Sequence, residues 1–357
     1  MFCPRLRTQN GTTWLKLKNS RHPKQEAILP LDHNHPFIGK SNLLPKIRID
    51  RPALNNQSGT MKTPLSRRTA LQSIATAGAV LPLAANAADK ATAKVKGNIR
   101  HSVCKWCYSE ISLDDVCKKA VALGMESVEL LDPKDFPTIK KYDLGCAMVS
   151  FPTGKTKSGV KVGTIPKAFN RLEHHDTLEE IYKVRIKETA NAGLKNLICF
   201  SGNREGMDDE EGMRNCATGL KRILPFAEKH GVNIVMELLN SKVDHADYMC
   251  DHTAWGVELC KLLDRENFGL LYDIYHMQIM EGDVIRTIRD QHKYLFHYHT
   301  GGNPGRNEID ETQELFYPAI MRAILTTGYK GHVGQEFIPK NEDKLAALEQ
   351  GVRICDV

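Results

Sequence analysis

The chain has 357 residues, 41% hydrophobic, 26% charged and 7% aromatic, the balance of an ordinary globular protein. Its net charge of +6 is unevenly placed: residues 1–88 hold thirteen Lys/Arg against three Asp/Glu, which leaves 36 basic and 40 acidic residues in the body. A body at −4 lacks the basic footprint of a nucleic-acid binder, so a nucleic-acid partner is set aside.

The leader has two parts. Residues 1–60 are rich in Asn, Pro and His and carry neither helical nor strand period; they are expected to be disordered, or to lie upstream of a true start at Met61. From Met61 the chain has the layout of a signal peptide. The pair Arg67-Arg68 is followed by an apolar stretch, Ala70 to Ala85, and by a small-residue exit, Ala85-Asn86-Ala87. SRRTAL reads as the twin-arginine type, which implies the twin-arginine export machinery as a partner and a periplasmic or secreted destination. The apolar run is too short for a stable membrane span.

Beyond residue 98 short apolar runs alternate with longer amphipathic ones. Strands are expected at 100–104, 127–131, 144–148, 196–200, 233–238, 268–273, 294–299 and 333–337. Helices are expected at 113–123, 137–141, 177–192, 212–229, 252–263, 284–291, 317–327 and 344–354. Glycines in ALGMES, NAGLKN, KHGVNI and TTGYKG close helices and turn the chain back into strands. Eight strand–helix units in this length predict one α/β domain, a (β/α)8 TIM barrel. An open doubly wound sheet is the alternative, but no GxGxxG follows the first strand. Two strand exits are long, 150–176 and 201–211; on a barrel both lie at the mouth, and the Gly- and Lys-rich centre of the first fits a flap. The cysteines sit in apolar runs and read as small core residues, not as a disulfide framework, and the lone CxxC of Cys104 and Cys107 has no second pair for zinc.

Four polar residues end apolar runs: Glu237 after NIVM, Asp273 after FGLLY, His299 in KYLFHYH and Glu336 after HVGQ. They are 36, 26 and 37 residues apart. The expected repeat of a barrel is roughly 31 residues. Ends of successive barrel strands face one mouth, so three carboxylates and an imidazole converge there. That set suits one hard or borderline divalent ion, with Mg²⁺, Mn²⁺ or Co²⁺ favoured and Zn²⁺ open. Coordination positions left free would chelate a carbonyl beside a hydroxyl and favour proton transfer between the two carbons. Lys242, Asp244, His245, Asn203, Arg204, His101 and Trp106 stand near strand exits as substrate or wall candidates. Arg306 suits a substrate carboxylate. His174 and His175 read as surface or supporting residues.

The segments MELLNSKVDH, LLYDIYHMQIMEGD, HYHTGGNPGRNEID and GYKGHVGQEFIP, with SVCKWCY and ICFSGN, resemble hydroxypyruvate isomerase-like members of the xylose isomerase-like TIM-barrel superfamily over roughly residues 98–357. The resemblance implies a metal held by Glu237, Asp273, His299 and Glu336, with Glu237 and Glu336 as the acid/base pair. It also implies His276 on a substrate oxygen, and Arg306 with Glu308 closing the site. One position departs: bacterial cytosolic members often carry Gln where this chain has His299, whereas ketose epimerases carry His. The leading reading is an isomerase interconverting hydroxypyruvate and tartronate semialdehyde, or a close small hydroxy-carbonyl compound. A ketose or cyclitol epimerase or dehydratase is the second reading. A secreted sugar-binding barrel without turnover is the third, and it needs no paired carboxylates. An apurinic endonuclease would need further zinc ligands and a basic groove. A homo-oligomer is left open.

Overall fold

In the computed structural model the chain falls into two units, 1–82 and 83–357. The structure describes residues 95–357 and, in the first unit, only an antiparallel pairing of Thr8–Gln9 with Thr12–Thr13. The signal peptide expected at 61–88 and the segment before it lie outside the described residues.

Seven parallel strands form one sheet: β1 Arg100–Cys104, β2 Ser127–Glu129, β3 Asn196–Cys199, β4 Asn233–Leu238, β5 Phe268–Asp273, β6 Leu295–Thr300 and β7 His332–Gln335, in the order β2-β1-β7-β6-β5-β4-β3. The two edges of that sheet, β2 and β3, are joined by residues 145–149. Bridges run from Ser127 to Gly145, from Leu131 to Val149 and from Val149 to Leu197, all parallel. The eighth stave therefore closes the barrel without forming a regular strand. Side chains take over part of its ladder: Ser127 Oγ accepts from the Ala147 amide at 2.7 Å, and Asn196 Nδ2 donates to the Ala147 carbonyl at 2.9 Å. Leu130, just after β2, is left-handed at a φ of 56°, and its amide donates to the Met148 carbonyl of the stave at 2.8 Å.

The outer layer among the described residues comprises α1 Leu113–Leu123, α2 Phe136–Lys140, α3 His175–Asn191, α4 Asp209–Lys229, α5 Thr253–Leu263, α6 Ile274–Met280, α7 Val284–Gln291, α8 Tyr317–Thr326 and α9 Lys344–Cys355. Local chemistry sets their ends. Ser112 Oγ accepts the Asp115 amide at the start of α1, and Gly124 at φ 78° stops it. Asp208 caps α4, whose first turn carries Asp209, Glu210 and Glu211 against the positive end of the helix. Leu178, Tyr182 and Ile186 of α3 and Leu220, Ile223 and Leu224 of α4 are buried against the barrel. Each such side chain contributes about 1.5–3 kcal/mol of burial. None of these helices is long and apolar enough to cross a membrane. The nine cysteines among the described residues are all buried and unpaired, as their apolar settings imply.

The segment expected to be a flap is pinned. Gly154–Lys155 pairs with Lys161–Val162 as a hairpin, and Val162 is buried. Further on, the Asn170 amide donates to the Ser201 carbonyl and the Asn203 amide to the Pro166 carbonyl, so the two long strand exits hold each other. His174 and His175 are buried rather than at the surface; their rings bond the Ala168 and Phe169 carbonyls and fix the same segment.

Candidate active site

Alternation along each strand places every second side chain on the same face. On β6 it sets His297 and His299 side by side, with rings 5.0 Å apart. On β4 it brings Glu237 to the same mouth, and on β5 it brings Asp273. Glu336 comes one residue after β7, where the Thr300 carbonyl still holds its backbone amide. The quartet converges: one donor atom from each of Glu237, Asp273, His299 and Glu336 lies within 4.8 Å of the others, and all four residues are buried.

Electrostatics make this cluster costly without a cation. Burial, and repulsion from Glu336, raise the Glu237 carboxyl above its ordinary range. Burial likewise pushes Asp273 up to about 8, against the pull of Arg306. Burial also works against the charge of Glu336, but His299 and Arg306 hold its carboxyl well below the usual range. Glu237 Oε1 and His299 Nδ1 are buried without a well-formed hydrogen bond; their nearest partners are each other at 3.5 Å and, for Nδ1, Glu336 Oε2 at 2.8 Å. Buried lone pairs of three carboxylates and one imidazole, with donors left unused, fit a divalent ion of the Mg²⁺, Mn²⁺ or Co²⁺ kind.

Arg306 supplies the positive charge that the cluster has from its own chain. Its Nη2 lies 2.6 Å from Glu336 Oε2 and 3.2 Å from Asp273 Oδ2. The guanidinium carbon sits 5.1 Å from the centre of the Trp106 ring and 5.6 Å from that of Tyr275. Its backbone is left-handed, φ 57°, a conformation that non-glycine residues hold chiefly where surrounding structure demands it. Trp106 belongs to the site as well: Nε1 donates to Glu336 Oε1 at 2.7 Å.

His276 stands beside Asp273. Asp273 caps α6 by accepting the His276 amide, so the strand end and the helix start are one device. Asn240 Nδ2 lies 2.6 Å from His276 Nδ1 and His276 Nε2 is 3.6 Å from Asp273 Oδ2, which leaves Nε2 as the nitrogen turned toward the quartet. Burial lowers the pKa of His276 far below the ordinary histidine value, keeping a neutral ring. His245 packs on it, ring centres 5.3 Å apart, and so lines the mouth.

Other candidates from the sequence are engaged elsewhere. Lys242 Nζ bonds the Ile279 and Met280 carbonyls at 3.0 Å, closing the end of α6. Glu308 Oε1 accepts the Asn341 amide at 2.6 Å and braces two loops rather than reaching the quartet. Asp244 accepts from Asn240 and from the Tyr275 hydroxyl, holding the loop after β4. Arg204 bonds Asp209, Asp251 and the carbonyls of Tyr248 and Met249, and Asn203 bonds the Ala246 carbonyl; both tie the loops after β3 and β4 together. His101 falls on the opposite strand face from Cys104 and is buried among core residues.

Sequence reasoning missed Glu129, Asn240 and Tyr275. Glu129 is the one with a readable signal, a carboxylate inside the apolar run SVELL in a chain that carries a His-x-His on β6. It is fully buried, and its Oε1 lies 2.8 Å from His297 Nε2 and 2.7 Å from His299 Nε2.

Comparison with known proteins agrees with this fold. The family described as Xylose isomerase-like TIM barrel matches residues 117–355. A protein of Pectobacterium atrosepticum named 2-oxo-tetronate isomerase is 26% identical over 68% of this chain and 93% of its own length. The hydroxypyruvate isomerase of Escherichia coli is 24% identical over 67% of this chain and 91% of its own. A crystal structure of a Brucella melitensis protein named as a family 2 AP endonuclease superposes with a TM-score of 0.60 at 22% identity, covering 70% of this chain and 97% of that one, which is a likeness of fold. The chain belongs to the xylose isomerase-like TIM barrel family, among relatives that are isomerases.

Proposed function

We propose that this isomerase uses one divalent ion, held by Glu237, Asp273, His299 and Glu336, to interconvert hydroxypyruvate and tartronate semialdehyde or a close small 2-oxo-3-hydroxy acid. The observation that carries the reading is the single buried cluster in which these four side chains converge beside the guanidinium of Arg306. A bound ion would act as a Lewis acid on a substrate carbonyl. The protein's own groups do the rest. In the forward direction a proton leaves C3 and returns to C2, while the hydroxyl and carbonyl exchange places through an enediolate. Glu237, whose Oε1 makes no well-formed hydrogen bond, is the group to take the carbon-bound proton. Glu336 has one oxygen on Trp106 and the other on Arg306, so its carboxylate is held in place on the opposite side. His276 Nε2 offers a hydrogen bond to a substrate oxygen. Arg306, between Trp106 and Tyr275, matches a substrate carboxylate, in keeping with the acids for which the relatives are named.

The imidazole of His299 in the ligand set favours a second reading, epimerisation of a larger ketose on the same groups. Incubation of purified protein with hydroxypyruvate in D₂O separates the two. Turnover of small 2-oxo-3-hydroxy acids, with deuterium entering at the transferred carbon, is expected. Turnover of ketohexoses or inososes with none of the acids would overturn the substrate assignment.

A further inference from the structure

We propose that Glu129 is a positioning residue for this site: its buried carboxylate holds the Nε2–H of His299 from beneath and so presents the Nδ1 lone pair to the ion. The proposal rests on reading the quartet as a metal site. Glu129 cannot itself reach a substrate, because the His299 ring lies between its carboxylate and the quartet. One edge of that ring, Nε2, is 2.7 Å from Glu129 Oε1. The other, Nδ1, is 2.8 Å from Glu336 Oε2 and 3.5 Å from Glu237 Oε1. A neutral imidazole carries one N–H and one lone pair; with an ion engaging the carboxylates on the Nδ1 side, Glu129 is the acceptor left for the N–H.

The surroundings of Glu129 are built around this contact. Among the described residues no Lys or Arg pairs with it. Its charge-bearing partners are the two imidazoles, His299 and His297, both on Oε1. The second imidazole, His297, shares that oxygen at 2.8 Å. Cys104 Sγ lies 3.6 Å both from Glu129 Oε1 and from His299 Nε2, filling the remaining side with a small group. The facing strand gives way at Gly334. A Cβ there would stand 2.7 Å from Glu129 Oε1 and 2.8 Å from His299 Cδ2, so any side chain would push the pair apart. Three strands, β2, β6 and β7, therefore cooperate to hold one ring angle. Such outer partners commonly change metal affinity by about 10–100-fold when removed.

The test uses full-length protein stripped of metal, with Co²⁺ as the probe. Glu129→Gln keeps the shape but offers a neutral amide that can also donate, letting the other His299 tautomer in. Expected are Co²⁺ binding about 10–100-fold weaker in competition with a chelator, and mixed His299 tautomers in ¹⁵N-histidine NMR. His297→Gln, whose amide can still donate to Glu129, removes an imidazole from the same layer without touching His299. It is expected to weaken Co²⁺ binding clearly less than Glu129→Gln does. Equal Co²⁺ binding and an unchanged tautomer in Glu129→Gln would overturn the proposal, as would an equal loss in His297→Gln. The wild type loaded with Zn²⁺ must show the proton on Nε2 of His299; a proton on Nδ1 overturns the proposal whatever the variants do. Failure of the wild type to take up any divalent ion would instead remove the metal reading, with this inference following it.

Discussion

Arg306 Nη2 and Glu336 Oε2 stand 2.6 Å apart, joining the loop after β6 to the residue after β7 inside a cluster of three carboxylates. Removing that cation leaves the carboxylates to repel one another unless an ion replaces it. Arg306→Gln should therefore melt at a lower temperature than the wild type in chelator, with a loss of about 3–5 kcal/mol. Saturating divalent metal should narrow the gap. Thermal melts with and without metal check this, and an equal gap in both conditions would contradict it. Activity on carboxylate substrates should fall more steeply than on neutral ones.

Glu237→Gln and Asp273→Asn each remove one charge from the quartet while keeping its shape. Both are expected to purify with less than stoichiometric metal and to lose at least about 100-fold in kcat, Glu237→Gln through loss of a positioned proton-transfer group and Asp273→Asn through loss of the ion. Elemental analysis of the purified variants, alongside the wild type, gives the answer. Full activity in a metal-free native protein would sink the assignment of the quartet.

Trp106→Phe keeps an aromatic wall beside Arg306 but deletes the Nε1 donor to Glu336 Oε1. A hydrogen bond to a charged group is commonly worth about 1.5–3 kcal/mol, so kcat/KM should drop about tenfold or more. Metal content should be retained. Steady-state kinetics on metal-loaded protein decides it, and an unchanged kcat/KM would show the bond to be incidental.

Stability should fall on the acid side through His101. Burial lowers its pKa from the ordinary value of 6.5 to about 4, with Asp356 pulling the other way and His332 adding to the shift. The unfolded chain therefore binds this proton at a higher pH than the folded one. The stabilisation is complete above about pH 6.5, declines as pH falls toward about 4, and changes no further below that. A full shift of this size corresponds to about 3 kcal/mol. Urea unfolding of wild type and His101→Leu between pH 7 and pH 4 should give a visibly flatter slope in the variant.

Export is tested by sequencing the N-terminus of the protein recovered outside the cytoplasm. A start shortly after Ala87 is expected, and a mature start well before Ala85 would refute cleavage. Replacing Arg67-Arg68 by a pair of lysines should block export if the leader is of the twin-arginine type.

Much of the site was legible because barrel geometry converts strand ends into neighbours. Glu237, Asp273, His299 and Glu336 could be found from apolar runs ending in a polar residue at the right interval, and the structure gathers all four. Loop residues were harder. Lys242, Glu308 and Arg204 have the chemistry of substrate ligands, yet each is engaged by backbone or carboxylate partners far off in the chain. Which side chain a loop turns inward depends on such partners, and no local pattern records them. The 145–149 stave shows the same limit in the backbone: its apolar run reads as a strand, but at Ala147 the side chains of Ser127 and Asn196 take the ladder's hydrogen bonds.

By itself the sequence determined the alternation of strands and helices, hence a closed parallel barrel, and the four residues that end its strands with metal-binding chemistry. Those are local properties: periodicity, caps and residue type. Only the tertiary structure decided that Trp106 and Arg306 grip Glu336, and that Glu129 lies beneath His299 with Gly334 leaving it room. These partners sit far apart in the chain and meet only through the curvature of the closed sheet, so the orientation of each group comes from packing across the barrel.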